Sequence, residues 1–156
     1  MSDQSPQTPQ TPDRAHGPHD PGGVQADLDA AAGGGADPGG RPQLGLSEAG
    51  VVDLHEEGAR LLERARASGT GRAVRAVVRQ PGQSLILLAL PEGGGLPDHD
   101  APGPASLQCL SGEVVLAAGE TEWRLPAGSA VLIPQTRHEV RALADSLCLL
   151  AVSLPR

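Results

Sequence analysis

The sequence contains no phenylalanine and no tyrosine, and its single tryptophan is Trp123. Reading single-stranded nucleic acid by base stacking needs aromatic faces, so this composition argues against that class of function. Lysine is absent as well, and all twelve basic residues are arginines. The net charge of −7 repels phosphate backbones, so any nucleic-acid binding would require a local basic patch. The densest such patch, Arg60, Arg64, Arg66, Arg72, Arg75 and Arg79, is interleaved with Glu56, Glu57 and Glu63. That mixture suits a solvated helix face better than a phosphate groove. Long apolar runs are missing, so no membrane span is expected. The polar, proline-rich start has neither a basic n-region nor an apolar h-region, which reads as a cytoplasmic protein. Cysteine is scarce, and Cys109 and Cys148 both fall in apolar runs, as buried free thiols do. A disulfide between them would need Cα atoms within about 7 Å, which the sequence leaves open.

What is present divides the chain in two. Residues 1–43 hold PQTPQTP and AAAGGGADPGG and almost no bulky apolar side chains. Such a segment buries too little surface to offset its ordering entropy, so it reads as a disordered tail, with His16 and His19 as solvated polar residues. Residues 44–156 carry the patterned sequence and form one expected domain. Asp53 followed by Glu56 has the form of a helix-capping box. Leu54, Gly58, Leu61, Leu62 and Ala65 then recur at helical spacing, which predicts an amphipathic helix over about 54–67.

After Gly71 the pattern changes to short β runs separated by glycine and proline. The runs are AVRAVVR, SLILLAL, SLQCL, EVVLAA, TEWRL, SAVLI, HEVRAL and SLCLLAV. Trp123 and Leu125 alternate with Glu122 and Arg124, the mark of a half-buried strand, while SLILLAL and SLCLLAV should be buried on both faces. About eight strands in so short a span predict a mainly β protein, a small barrel or jelly roll behind one helix. The glycines at 93–95 precede no Gly-Lys-Ser/Thr and read as a turn. No Gly-x-Ser-x-Gly surrounds Ser111 or Ser129, and Cys109 has no basic neighbour, so nucleophilic catalysis finds no support.

Two stretches carry a family resemblance. HDAPGPASLQCLSGEVVL, residues 99–116, and GSAVLIPQTRHEV, residues 128–140, resemble the paired motifs of the cupin superfamily (RmlC-like) through His99 and Gly112, and through Gly128, Pro134 and His138. The order LLERARAS, HDAPGPASLQCLSG and PQTRHEVRALADSLCLL is similar to that of small actinobacterial-type cupin-domain proteins, over most of residues 51–153. The resemblance implies a single jelly-roll barrel, often dimeric, with a divalent transition metal (Fe, Mn, Ni or Zn) at its mouth. The sequence departs from the pattern at the metal: Ala101 stands at the second histidine position and Ala105 at the glutamate position, so only His99 and His138 remain. A catalytic metal wants at least three protein ligands.

The leading expectation is therefore a small-molecule-binding barrel with a degenerate metal site and no assigned catalysis. Its pocket would be lined by Leu107, Cys109, Val131 and Ile133, with Gln108 as a further polar contact. His99 and His138 would bind a carboxylate or phenolate, or act as an acid–base pair. An alternative is a metal-dependent dioxygenase or isomerase that recruits a third ligand from Asp98, Asp100 or another strand. Another is a homodimeric interaction module.

Overall fold

The computed structural model describes residues 50–101 and 103–153. The expected tail at 1–43, with His16 and His19, lies outside them. The helix α1, Leu54–Ser68, begins where the sequence predicts and ends one residue later. Asp53 is its N-cap, and one carboxylate oxygen accepts from the amides of His55 and Glu56, both at 3.0 Å. Glu56 does not reach back as a full capping box would; its carboxylate pairs with Arg60 at 2.7 Å. Gly69 closes the helix in the left-handed region, with φ 69°, which a residue without Cβ adopts at no steric cost.

Among the described residues nine strands follow: β1 (Ala73–Gln80), β2 (Gln83–Leu90), β3 (Gly95–His99), β4 (Ala105–Ser111), β5 (Glu113–Ala118), β6 (Thr121–Pro126), β7 (Ser129–Leu132), β8 (His138–Ala142) and β9 (Ser146–Ser153). All their pairings are antiparallel. One sheet has the order β1-β2-β9-β4-β7 and the other β3-β8-β5-β6, and the two pack face to face as a jelly roll. Eight strands coincide with the apolar runs of the sequence. The ninth, β3, corrects the reading of 93–95 as a plain turn, because Gly95 already pairs with Arg141.

The alternation of side chains builds the core. Ile86, Leu88 and Leu90 of β2 and Leu150 of β9 meet Leu116 of β5 and Val140 of β8 between the sheets. The intervening residues of β2 and β9, Leu87, Ala89, Leu147 and Leu149, point outward and are covered by Leu61 of the helix. These two strands are therefore buried on both faces, as their unbroken hydrophobicity predicts. Each such leucine contributes about 1.5–3 kcal/mol when fully buried. Gly58 lets the helix come close, since a Cβ there would lie 2.8 Å from Leu147 Cδ2.

The arginine-rich patch is mostly an exposed, ion-paired surface, but Arg72 is buried. Arg60 and Arg75 both bond Glu57, at 3.1 and 2.6 Å, which ties α1 to β1. Arg66 pairs with Asp145 in the β8–β9 turn, and Asp145 also accepts from the amide of Glu92 at 2.8 Å. No helix among the described residues is long and apolar enough to cross a membrane.

Candidate functional site

His99 ends β3 and His138 begins β8, and the two residues face each other directly across the pair of strands. Both are buried, with 5% and 3% of their surface exposed. A slip in register brings them together. Leu96 pairs with Val140, yet three residues later His99 pairs with His138, so β3 carries one extra residue against β8. Regular pairing from Leu96 would place Asp98 opposite His138 and turn His99 outward. The bulge reverses this: Leu96 and His99 both point inward, and Asp98 is exposed. Pro97 sits within the bulge of this edge strand, where its missing N–H costs no ladder bond. On β8, His138, Val140 and Ala142 share the inner face.

The two rings stand edge to face, with centroids 4.4 Å apart and planes at 66°. Each ring is fixed by the carbonyl two residues before it. His99 Nδ1 lies 2.8 Å from the Pro97 oxygen, and His138 Nδ1 lies 2.8 Å from the Thr136 oxygen. A carbonyl oxygen can only accept, so each Nδ1 carries the proton. In the neutral ring the Nε2 lone pair is then left as the acceptor, on both histidines. Burial pushes the His99 pKa below its ordinary value; the Pro97 carbonyl opposes this, the neighbouring His138 adds to it, and Asp98 and Asp100 weakly oppose it. His99 is thus held in the neutral form, in which Nε2 accepts.

This has a consequence for stability. Above the ordinary histidine pKa of about 6.5, His99 is neutral both folded and unfolded and adds no pH dependence. As pH falls below that value, the unfolded chain gains a proton that the folded chain refuses, so stability is lost down to the lowered folded pKa. The slope is at most about 1.4 kcal/mol per pH unit. Urea unfolding at pH 7.5 and 5.5 should therefore show a larger loss for the wild type than for His99→Gln. Equal losses would contradict the burial of a neutral ring.

The remaining expected site residues lie elsewhere. Leu107, Cys109 and Ile133 are members of the packed core, with Val131 against it. Gln108 is exposed, because alternation along β4 puts it on the face opposite Leu107 and Cys109. It cannot share an internal pocket with them, and its expected role as a polar ligand contact is corrected on that ground. Asp98 and Asp100 turn to Arg137, at 2.9 and 3.9 Å, and away from the rings. Ala105, at the glutamate position of the resembled motif, is buried and offers only a methyl group. Among the described residues no group of three or more His, Cys, Asp or Glu could hold a metal ion. Two imidazoles do not fit a tightly held catalytic metal, which wants three protein ligands. The recruited-carboxylate arrangement expected for a metal-dependent enzyme is not formed.

The segments beside the rings are tied together. Gln135 Nε2 donates to the Gly103 carbonyl at 2.9 Å, and the Arg137 guanidinium bonds both the carboxylate and the carbonyl of Asp98. These contacts are exposed, so parting them costs little. The Pro97 and Thr136 carbonyls and the Gln135 bridge are backbone-dependent features that residue types alone do not announce.

No family model matches the sequence, and no curated protein matches it. Solved structures do. A cupin-2 domain containing protein from Shewanella frigidimarina superposes with a TM-score of 0.55 at 13% identity, covering 70% of this chain and 100% of its own. A conserved protein of unknown function from Streptococcus pyogenes gives 0.53 at 21% identity, over 69% of this chain and 90% of its own. A cupin superfamily protein from Desulfitobacterium hafniense gives 0.50 at 14%, over 54% and 78%. At these identities the likeness speaks for the fold alone, and on strand order, two-sheet packing and superposition together, the fold of this chain is that of the cupin superfamily.

Proposed function

We propose that this protein is a small-molecule-binding barrel, with residues 44–156 as the binding unit, whose recognition groups are the Nε2 atoms of His99 and His138. The observation that carries the reading is the pair of Nδ1–carbonyl bonds, which leaves two acceptor nitrogens on facing rings. Two Nε2 acceptors suit a ligand that donates, such as a neutral phenol or a diol. A carboxylate would need an imidazolium, which burial of His99 opposes. The ligand class expected from the sequence therefore shifts from an anion to a neutral hydroxyl compound. Both rings are almost wholly covered, so binding in this reading needs local opening around the strand ends that carry them.

The test is a comparison of catechol, phenol and benzoate at pH 7.5, followed by NMR of the two imidazoles. Catechol and phenol should shift both histidine signals, benzoate should not, and His138→Leu should abolish the response. Benzoate as the preferred probe, or a response that survives both His99→Leu and His138→Leu, would overturn the reading.

A further inference from the structure

Cys109 of β4 and Cys148 of β9 are direct partners across two neighbouring inner strands of the five-stranded sheet. Both are free and buried. The Cys109 carbonyl accepts from the Gly128 amide at 2.7 Å, on the β7 side of the strand. A residue in a strand turns its N–H and C=O to the same side, so toward β9 Cys109 holds a non-hydrogen-bonded position. Directly opposite Cα atoms there lie about 4.5 Å apart, inside the range that a disulfide spans. The side chains share the inner face of the sheet and interact with each other. The Cys109 thiol also donates to the Ser111 carbonyl at 3.4 Å, which leaves its sulfur as the acceptor for Cys148. The register slip between Cys109 and Ser111 gives this end of β4 slack to adjust.

We propose that Cys109 and Cys148 are a two-electron redox couple, which a small peroxide converts from facing thiols into an intrachain disulfide stapling β4 to β9. The Cys109 sulfur attacks one peroxide oxygen, the O–O bond breaks, and one water leaves, giving a sulfenic acid. The Cys148 sulfur then attacks the Cys109 sulfur, the S–O bond breaks, and a second water carries off the remaining thiol proton. Two thiols lose two electrons, and the peroxide gains them. The order of the steps follows from the pair's hydrogen bonding: burial raises the pKa of both thiols, but Cys148 as donor favours ionised Cys109 and is itself pushed further up. The thiolate is the nucleophile, so Cys109 reacts first. The couple lies four residues along β4 from Ala105, toward the strand's other end, and is independent of the ligand-binding reading.

The full-length chain, purified reduced, is treated with hydrogen peroxide, blocked with iodoacetamide in denaturant and mapped by peptide mass. The expected result is a monomer lacking two hydrogens, with one peptide pair joined through Cys109 and Cys148 and restored by dithiothreitol. Circular dichroism should be unchanged, which places the reaction in the folded barrel. With dimedone present during peroxide treatment, the wild-type chain should be trapped as the sulfenic acid at Cys109 and not at Cys148. Two alkylatable cysteines after peroxide, intermolecular bonds only, loss of the native spectrum, or dimedone labelling mainly at Cys148 would each overturn the proposal.

Discussion

Gly112→Val should cost the fold about 4 kcal/mol or more, whereas Gly128→Val should cost only about 1–2 kcal/mol and leave a native protein. Both glycines hold left-handed backbone, with φ of 78° and 86°, so both substitutions bring conformational strain. Space separates them. Around Gly128 nothing lies within 4 Å of an added Cβ. At Gly112 that atom would sit 2.8 Å from Ser146 Cα and closer still to the Asp145 carbonyl and Ser146 Oγ. Ser146 is fully buried, and its hydroxyl accepts from the Glu113 amide at 3.1 Å while lying 2.7 Å from the Ala144 carbonyl. This junction joins the start of β5 to the start of β9. Pushing it apart adds overpacking and a broken buried hydrogen bond to the strain, each worth about 1–3 kcal/mol. Urea unfolding of the two variants measures the difference. Equal destabilisation would mean that the β5–β9 junction yields, and the close approach at Gly112 would lose its structural meaning.

The same contrast between pattern and geometry explains how far the sequence could be read. Strands such as TEWRL and SLILLAL were legible because period-two alternation, or its absence, directly encodes which faces are buried. β3 was not, because Gly95 and Pro97 are residues that usually punctuate strands. The bulge hid the site more deeply: counting alternately from Leu96 assigns Asp98 to the interior and His99 to solvent, the reverse of what the extra residue produces. The motif resemblance singled out both histidines where periodicity could not. It could not announce that backbone carbonyls set both tautomers, since any residue supplies a carbonyl. Gln108 is a different case. Its neighbours Leu107 and Cys109 alternate with it in plain sight, so its outward position was available from the sequence and was obscured by proximity to the motif. The facing of Cys109 and Cys148 depends on the long-range register of β4 and β9, about which local pattern is silent.

Leu107→Ala should destabilise the protein by about 3 kcal/mol while leaving the histidine response to catechol intact. Leu107 is 1% exposed and lies between Val131 of β7 and Leu150 of β9 on the inner face of the sheet. Removing its side chain from packed surroundings forfeits the transfer free energy of the lost methyl groups and leaves a cavity the neighbours only partly fill. A leucine that lined a ligand-holding, water-accessible hollow would behave differently. Its truncation would cost less than about 1 kcal/mol and would enlarge the hollow, so larger ligands would gain affinity. Urea unfolding together with imidazole NMR reads both quantities on one variant. A small stability loss with altered ligand size preference would move the binding site down into the barrel, onto Leu107 and Cys109. The expected large loss with an unchanged response confines ligand contact to the rim where the bulge aims His99 at His138. Under the proposed reading, two acceptor nitrogens where β3 meets β8 would hold a compact hydroxyl compound by hydrogen bonds and not by buried area.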